Sequence, residues 1–286
     1  MSERSFYAPE NLGELAQLLK REDSVIYSGG GSYLVDRRSH GETRLAGRPR
    51  EAPIVALHRV EELRKIARSE RFAEIGSVTT LQRIIGVGRK FLPPLLLDAL
   101  RQAGPYLVRN SATIGGNLAV PTHIFGVHLV LQLLDGRVEV RGQKGSDWMS
   151  LGRLRDPQGR LLLEPAELIT RVRIPLELHS AQVYQQFGDG YGVGEPPLSF
   201  AGIASVAKES VERIQLGYLV NAKTLLRLRD AEAQLAGAKL PLQRKLLLGF
   251  LDALAAELNT VDRLTRLQRA RAINLSQQFL SGLDAG

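Results

Sequence analysis

The sequence predicts an α+β fold in two domains, and three observations carry that prediction. Up to Ile174-Pro175, short apolar runs of strand length are interspersed with runs of helical apolar spacing. After Pro175 the composition changes: strand-like runs come first, and the chain then closes on three helix-like runs. A length of 286 residues is enough for a substantial core and two domains. The boundary is expected near Pro175, giving domains 1–176 and 177–286, the first divided at about residue 56.

Taken in order, Phe6-Tyr7-Ala8-Pro9 reads as an extended lead-in, because a residue before proline is steered away from the helical region. Asn11 is placed to cap a helix whose Leu12, Leu15, Leu18 and Leu19 fall at helical spacing. Val25-Ile26-Tyr27 is a short buried strand that runs into the glycine cluster Ser28-Gly29-Gly30-Gly31-Ser32. Residues 36–53 are polar and basic and read as an exposed loop, followed by a strand at Ile54–Leu57. Val60–Ile66 reads as one or two helical turns. Phe72–Ile75 reads as a strand entering Gly76-Ser77-Val78-Thr79-Thr80, which either sets backbone and hydroxyls against a ligand or simply turns.

Leu81, Ile84 and Ile85 mark a helix, and Pro93-Pro94 opens another that Gly104-Pro105 ends. Ile124–Leu134 is an apolar helix and Arg137–Arg141 an alternating strand. Strands are expected at Leu161–Leu163, Leu168–Ile174, Val183-Tyr184, Phe200–Ala207 and Val211–Tyr218, and helices at Ala231–Leu235, Arg244–Leu258 and Arg263–Leu280. Gly188–Gly194 has spacing close to a dinucleotide fingerprint, but that fingerprint must open a helix, and Glu195-Pro196-Pro197 follows. It is read as a flexible loop.

Composition narrows the function classes. A hydrophobic content of 44% with 24% charged residues is that of a globular chain. No run reaches the roughly 18 apolar residues of a membrane span. Residues Met1–Phe6 carry no apolar signal segment, so a cytoplasmic location is expected. The absence of cysteine excludes disulfides, thiolate metal ligands and any iron–sulfur cluster on this chain. A net charge of +8 raises nucleic-acid binding, yet the twelve Lys/Arg and seven Asp/Glu between Lys208 and Arg271 are interspersed, with no aromatic interleaving. They read as a solvated helical face or a dock for an acidic protein, and no nucleic-acid partner is expected.

The most informative stretch is Val108-Arg109-Asn110-Ser111-Ala112-Thr113-Ile114-Gly115-Gly116-Asn117-Leu118. Adjacent glycines leave backbone N–H groups open to a ligand, and successive exposed N–H groups suit a phosphate. Thr113 and Asn117 add directed donors and acceptors. A lone Gly-Gly is most simply a turn, but the second cluster at Gly29–Gly31 offers a partner that would hold one dinucleotide from both sides. Neither a Gly-Lys-Ser/Thr phosphate loop nor a Gly-x-Ser-x-Gly elbow occurs. The histidines His40, His58, His123, His128 and His179 form no metal pair with carboxylates at helical spacing. A phosphate cradle without nucleophile or metal fits a protein whose cofactor does the chemistry.

On these residues the chain resembles the FAD-binding medium subunits of the molybdenum hydroxylases, the xanthine dehydrogenase and carbon monoxide dehydrogenase family. Ile26–Gly30 resembles the first flavin loop, Ile75–Thr79 the small-residue strand end, and Val108–Leu118 the second flavin loop almost throughout. Leu163–Ile169 with Ile174-Pro175 resembles the close of the flavin domain, and Ala231–Gly237 the C-terminal domain.

The resemblance implies a two-part FAD-binding domain of the vanillyl-alcohol-oxidase (PCMH) type followed by a smaller α+β domain. It implies non-covalent FAD, with a molybdenum-cofactor large subunit and a [2Fe–2S] small subunit as partners. Electrons would pass from those clusters through the flavin to an external acceptor. Gly29, Gly30, Gly31, Ser32, Thr113, Gly115, Gly116 and Asn117 would bind the cofactor, joined by Thr79, and Tyr191 would shield its ring. Three departures stand out: Gly31-Ser32-Tyr33-Leu34 replaces the usual Gly-Thr-Asp-Leu continuation, Pro121-Thr122-His123-Ile124-Phe125 replaces an expected Asp, and Gln185, Gln186 and Gly188 replace basic residues. His123 either substitutes for the missing polar contact or is a surface histidine. The competing reading is a flavin-poor subunit kept for assembly.

Overall fold

The computed structural model describes residues 5–34, 52–188 and 197–283. Their strands form three sheets. The first is a small parallel sheet of β1 (Phe6–Tyr7), β3 (Ile54–Ala56) and β2 (Ile26–Ser28), ordered β1-β3-β2. Helix α1 (Leu12–Leu19) covers it, and its start is fixed as expected: Asn11 Oδ1 accepts the Glu14 N–H at 2.9 Å. Leu15, Leu18 and Leu19 point into a cluster with Val25, Val55, Leu57 and Val60.

The second sheet is antiparallel, ordered β4 (Ile66–Arg68), β5 (Phe72–Gly76), β8 (Leu168–Pro175), β6 (Arg137–Gly142) and β7 (Gly145–Ser150). Over it lie α2 (Leu81–Gly88), α3 (Pro94–Gln102) and α6 (Gly126–Leu133), between them short α4 (Tyr106–Ser111) and α5 (Ile114–Leu118). The third sheet is an antiparallel meander of β9 (Ala181–Phe187), β10 (Leu198–Ala207), β11 (Ser210–Val220) and β12 (Thr224–Leu226). Both faces of β10 are buried, and its side chains divide by the two-residue period of a strand. Ala201 and Ile203 join the core beneath α3 and α6. Leu198, Phe200 and Ala204 face α7 (Arg229–Leu235), α8 (Arg244–Thr260) and α9 (Arg266–Ser281). Phe200 and Tyr218 meet there with ring centroids 5.4 Å apart, and a Thr265/Gln268 capping box starts α9.

Several expectations are corrected. Leu161–Leu163 is not a strand: Leu161 makes only an isolated bridge with Arg155, and Leu161 and Leu163 instead line the main cavity. The helical reading of Val60–Ile66 holds for Glu61–Arg64 alone, since Ile66 already pairs with Ile75 as β4. Strands β7 and β12 and helix α4 were not anticipated. The loop expected at 36–53 falls almost wholly outside the described residues, as do Tyr191 and most of the 188–194 glycine loop. No helix among the described residues is long and apolar enough to cross a membrane.

Candidate cofactor site

The parallel sheet delivers the first glycine cluster, and the α4–α5 connection delivers the second. The two meet. A Cβ built on Gly30 would stand 1.6 Å from the Ser111 carbonyl oxygen, and one on Gly29 would stand 2.7 Å from Thr113 Oγ1. Only a glycine at 30 permits this approach of backbone to backbone. Gly31 takes φ +72°, the left-handed region, and turns the chain back toward Tyr33. The N–H groups of Gly29, Gly30, Gly31 and Ser32 donate to no acceptor among the described residues.

The second cluster is built differently from the expectation. Ile114–Leu118 is a short helix with Thr113 as its N-cap, and Thr113 Oγ1 accepts the Gly116 N–H at 3.2 Å. The Gly115 N–H donates to the Ser77 carbonyl at 2.8 Å, and Asn117 N–H to Thr113 O at 2.8 Å. The amides expected to stand bare are therefore committed within the protein. Gly115 serves close packing instead, since a Cβ there would fall 2.6 Å from Ser77 Cβ. Thr113→Val, which keeps the shape and removes the cap, is expected to cost about 1 kcal/mol of stability. A thermal melt or urea titration beside the parent protein checks it.

Around this junction lies a cavity of about 430 Å³, within the usual range for small-molecule sites. It brings together Gly29, Gly30, Gly31, Ser32, Thr113, Gly115, Gly116 and Asn117. Thr79 is buried behind the wall, where its carbonyl accepts the Ile114 N–H, and it is not among the lining residues. His123 also stands off the wall: its Nδ1 shares a 2.9 Å hydrogen bond with Thr122 Oγ1, which lies 3.2 Å from Tyr33 Oη.

The cavity also has walls that the sequence argument did not assign. Ser77 and Val78 come from the same small-residue run as Thr79. Leu161, Leu163 and Glu167–Ile169 come from a distant segment. Tyr27 Oη donates to Ala166 O at 2.8 Å, and Val25 N–H donates to Pro165 O, so that segment is tied to the strand feeding the first glycine turn.

These walls suit a cofactor with an apolar body and a polar chain. Leu57, Val78, Val120, Phe125 and Leu168 supply apolar surface. On the polar side, Ser77 Oγ and Asn117 Oδ1 belong to lining residues and are buried without a hydrogen-bond partner. Leaving such atoms unpaired costs about 1–3 kcal/mol each, so a ligand or water that satisfies them is favoured. Among the described residues the lining includes no Lys or Arg. A bound diphosphate would therefore meet backbone N–H groups and hydroxyls there.

A glycine turn leaving a parallel strand, packed on a capped Gly-Gly helix at one shared cavity, defines a cofactor-binding protein of mixed α+β fold. The chain belongs to the family of FAD-binding domains in molybdopterin dehydrogenases, whose family model matches residues 2–177. The nicotinate dehydrogenase FAD-subunit of Eubacterium barkeri is 27% identical over 194 residues, 64% of this chain and 62% of that protein. Subunit alpha of the 6-hydroxypseudooxynicotine dehydrogenase complex of Paenarthrobacter nicotinovorans is 26% identical over 193 residues, again 64% and 62%. The matched region thus spans less than two thirds of these relatives. In fold, the chain is similar to carbon monoxide dehydrogenase from Hydrogenophaga pseudoflava, with a TM-score of 0.78 at 21% identity over 98% of this chain and 95% of that one. Quinoline 2-oxidoreductase from Pseudomonas putida 86 gives 0.78 at 18% identity, over 98% and 96%.

Proposed function

We propose that this chain is the FAD-binding, electron-transferring subunit of a molybdenum hydroxylase complex. The observation that carries the reading is the close approach of Gly30 to Ser111, which brings both family loops to one cavity. In the proposal, residues 1–176 form a PCMH-type flavin domain, divided at about residue 56, and 177–286 a C-terminal domain. The turn Gly29–Ser32 offers free N–H groups to the diphosphate, while Thr113, Gly115, Gly116 and Asn117 shape the opposite wall. Bound flavin would supply two-electron acceptance and release, passing electrons from the [2Fe–2S] clusters of a partner subunit to an external acceptor. Those clusters and the molybdenum cofactor sit on partners, because this chain has no cysteine to ligate a cluster. The organic substrate reacts on the molybdenum subunit.

Purified protein tests the reading. It should carry close to one FAD per chain, and acid precipitation should release all of it, since neither cysteine nor a glycine-loop histidine is present for a covalent link. The isolated, flavin-loaded chain should not oxidise hydroxylase substrates with an artificial acceptor until the partner subunits are added. A colourless protein that takes up no FAD would move the reading to an assembly subunit. Substrate oxidation by the chain alone would replace it with a self-sufficient flavin oxidase.

A further inference from the structure

A second cavity, of about 190 Å³, lies at Arg155, whose guanidinium also holds the loop that follows α5. Ile124 lines it from just before α6, His128 and Gln132 from successive turns of α6, Arg155 and Asp156 from the segment after β7, and Lys223 from the β11–β12 turn. It shares none of its lining with the cofactor cavity.

Its chemistry is out of balance. Arg155 is only 6% exposed and is held by four carbonyls: Nη1 donates to Gly159 O at 2.9 Å, and Nη2 to Leu118 O, Val120 O and His123 O at 3.0, 2.5 and 3.3 Å. No carboxylate pairs with it among the described residues. Asp156, the one acid among the described residues of the wall, spends its oxygens on Arg160 Nε and on the Gln158 and Arg160 N–H groups. A buried charge without a countercharge is costly, and carbonyl dipoles offset only part of that cost. Arg155 Nε, both ring nitrogens of His128 and Gln132 Oε1 are also buried without partners. His128 is 1% exposed, and burial, then the Arg155 charge, lowers its pKa to about 3, so the ring is neutral at pH 7.

We propose that this cavity binds a small oxyanion that retains a proton, of the hydrogencarbonate or hydrogenphosphate class. The unmet groups define that chemistry. Arg155 Nε and one His128 nitrogen are donors, while Gln132 Oε1 and the other His128 nitrogen are acceptors. A fully deprotonated anion satisfies only the donors, and a neutral molecule leaves the guanidinium uncompensated. A protonated oxyanion answers both demands. Lys223, an exposed residue of the lining, adds a positive charge there.

The test is calorimetric titration of the purified full chain at pH 7.5 and constant chloride with hydrogencarbonate, with phosphate and with sulfate. Binding of one of the first two at one site per chain is expected, with sulfate, which carries no proton at this pH, at least tenfold weaker. The two protic anions tell apart a carbonate from a phosphate source. Gln132→Leu and His128→Phe should each weaken binding at least tenfold, and neither residue lines the cofactor cavity, so FAD content should not change. NMR of the wild-type His128 ring nitrogens, shifting in step with the calorimetric saturation, locates the ligand without relying on a variant. Absence of binding by both protic anions up to millimolar concentration, or equal binding by sulfate, overturns the proposal. So does unchanged affinity in Gln132→Leu.

Discussion

Gly30→Ala is expected to strip the chain of its flavin, with occupancy falling at least tenfold below the parent's. The new methyl would sit 1.6 Å from the Ser111 carbonyl oxygen, a backbone atom that no rotamer change can move aside. Either the first glycine turn or the α4–α5 connection must withdraw, and both form walls of the same cavity. Overpacking typically costs about 1–3 kcal/mol, and a clash with main chain belongs at the upper end. The loss should be local. The β9–β12 meander and α7–α9 have their own core, so far-UV circular dichroism should stay close to native. Gly116→Ala is the milder counterpart at the same cavity: a Cβ there meets only a side-chain atom, Thr113 Oγ1, at 2.9 Å, and its φ is not in the left-handed region, so its occupancy should fall less. Flavin absorbance per chain after identical purification reads the difference. Equal occupancy in Gly30→Ala and the parent would mean that the two loops do not close on the cofactor together.

The contrast between those two glycines shows how far the sequence could be read. That Gly29–Gly31 and Gly115-Gly116 belong to one site was legible, because each cluster follows a recognisable element. Which glycine does what was not, because the need at position 30 is set by Ser111, 81 residues away in the chain. The sequence around Thr113 suggests a ligand group, but its spacing to Gly116 equally fits an N-cap, and the cap claims its oxygen. Local rules worked where the cause is local: Asn11 caps α1, Pro94 opens α3, and the strand expected at Phe200–Ala207 is present and begins two residues earlier, at Leu198. They failed at Leu161–Leu163, where an apolar run that looks like a strand is spent on the cavity wall. They also missed Gly145–Ser150, whose polar residues form an edge strand held by pairing with β6 rather than by burial. The Arg155 cluster was invisible for the same reason: the residues that hold its guanidinium lie between Leu118 and Gly159 and supply carbonyls, which every residue has.

Acid should destabilise this protein through His128 before most of its carboxylates titrate. The imidazole is fully buried in α6, where desolvation and then the Arg155 charge lower its pKa from 6.5 to about 3. In the unfolded chain it protonates near its ordinary value, so between about pH 6.5 and 3 the unfolded state binds a proton that the folded state refuses. Stability therefore rises with pH across this window. The contribution is fully present above about pH 6.5 and is lost progressively as pH falls toward the folded value. At one pKa unit per 1.36 kcal/mol, the loss reaches roughly 3 kcal/mol by about pH 4. His179, whose pKa is lowered chiefly by burial, acts in the same direction, and Glu139, lowered chiefly by its hydrogen bond from Arg171, contributes at lower pH. The His128 share is isolated as a difference. His128→Phe replaces the ring with an apolar one that does not titrate, so its urea-derived stability should fall less steeply from pH 7 to 4 than the parent's, by roughly 3 kcal/mol over the interval. The variant's absolute stability does not enter, because only the change with pH is compared. Parallel profiles for parent and variant, measured in buffers free of hydrogencarbonate and phosphate, would mean that the imidazole picks up its proton in the folded state, which requires an acceptor or countercharge beside Nδ1 or Nε2 that no described residue supplies.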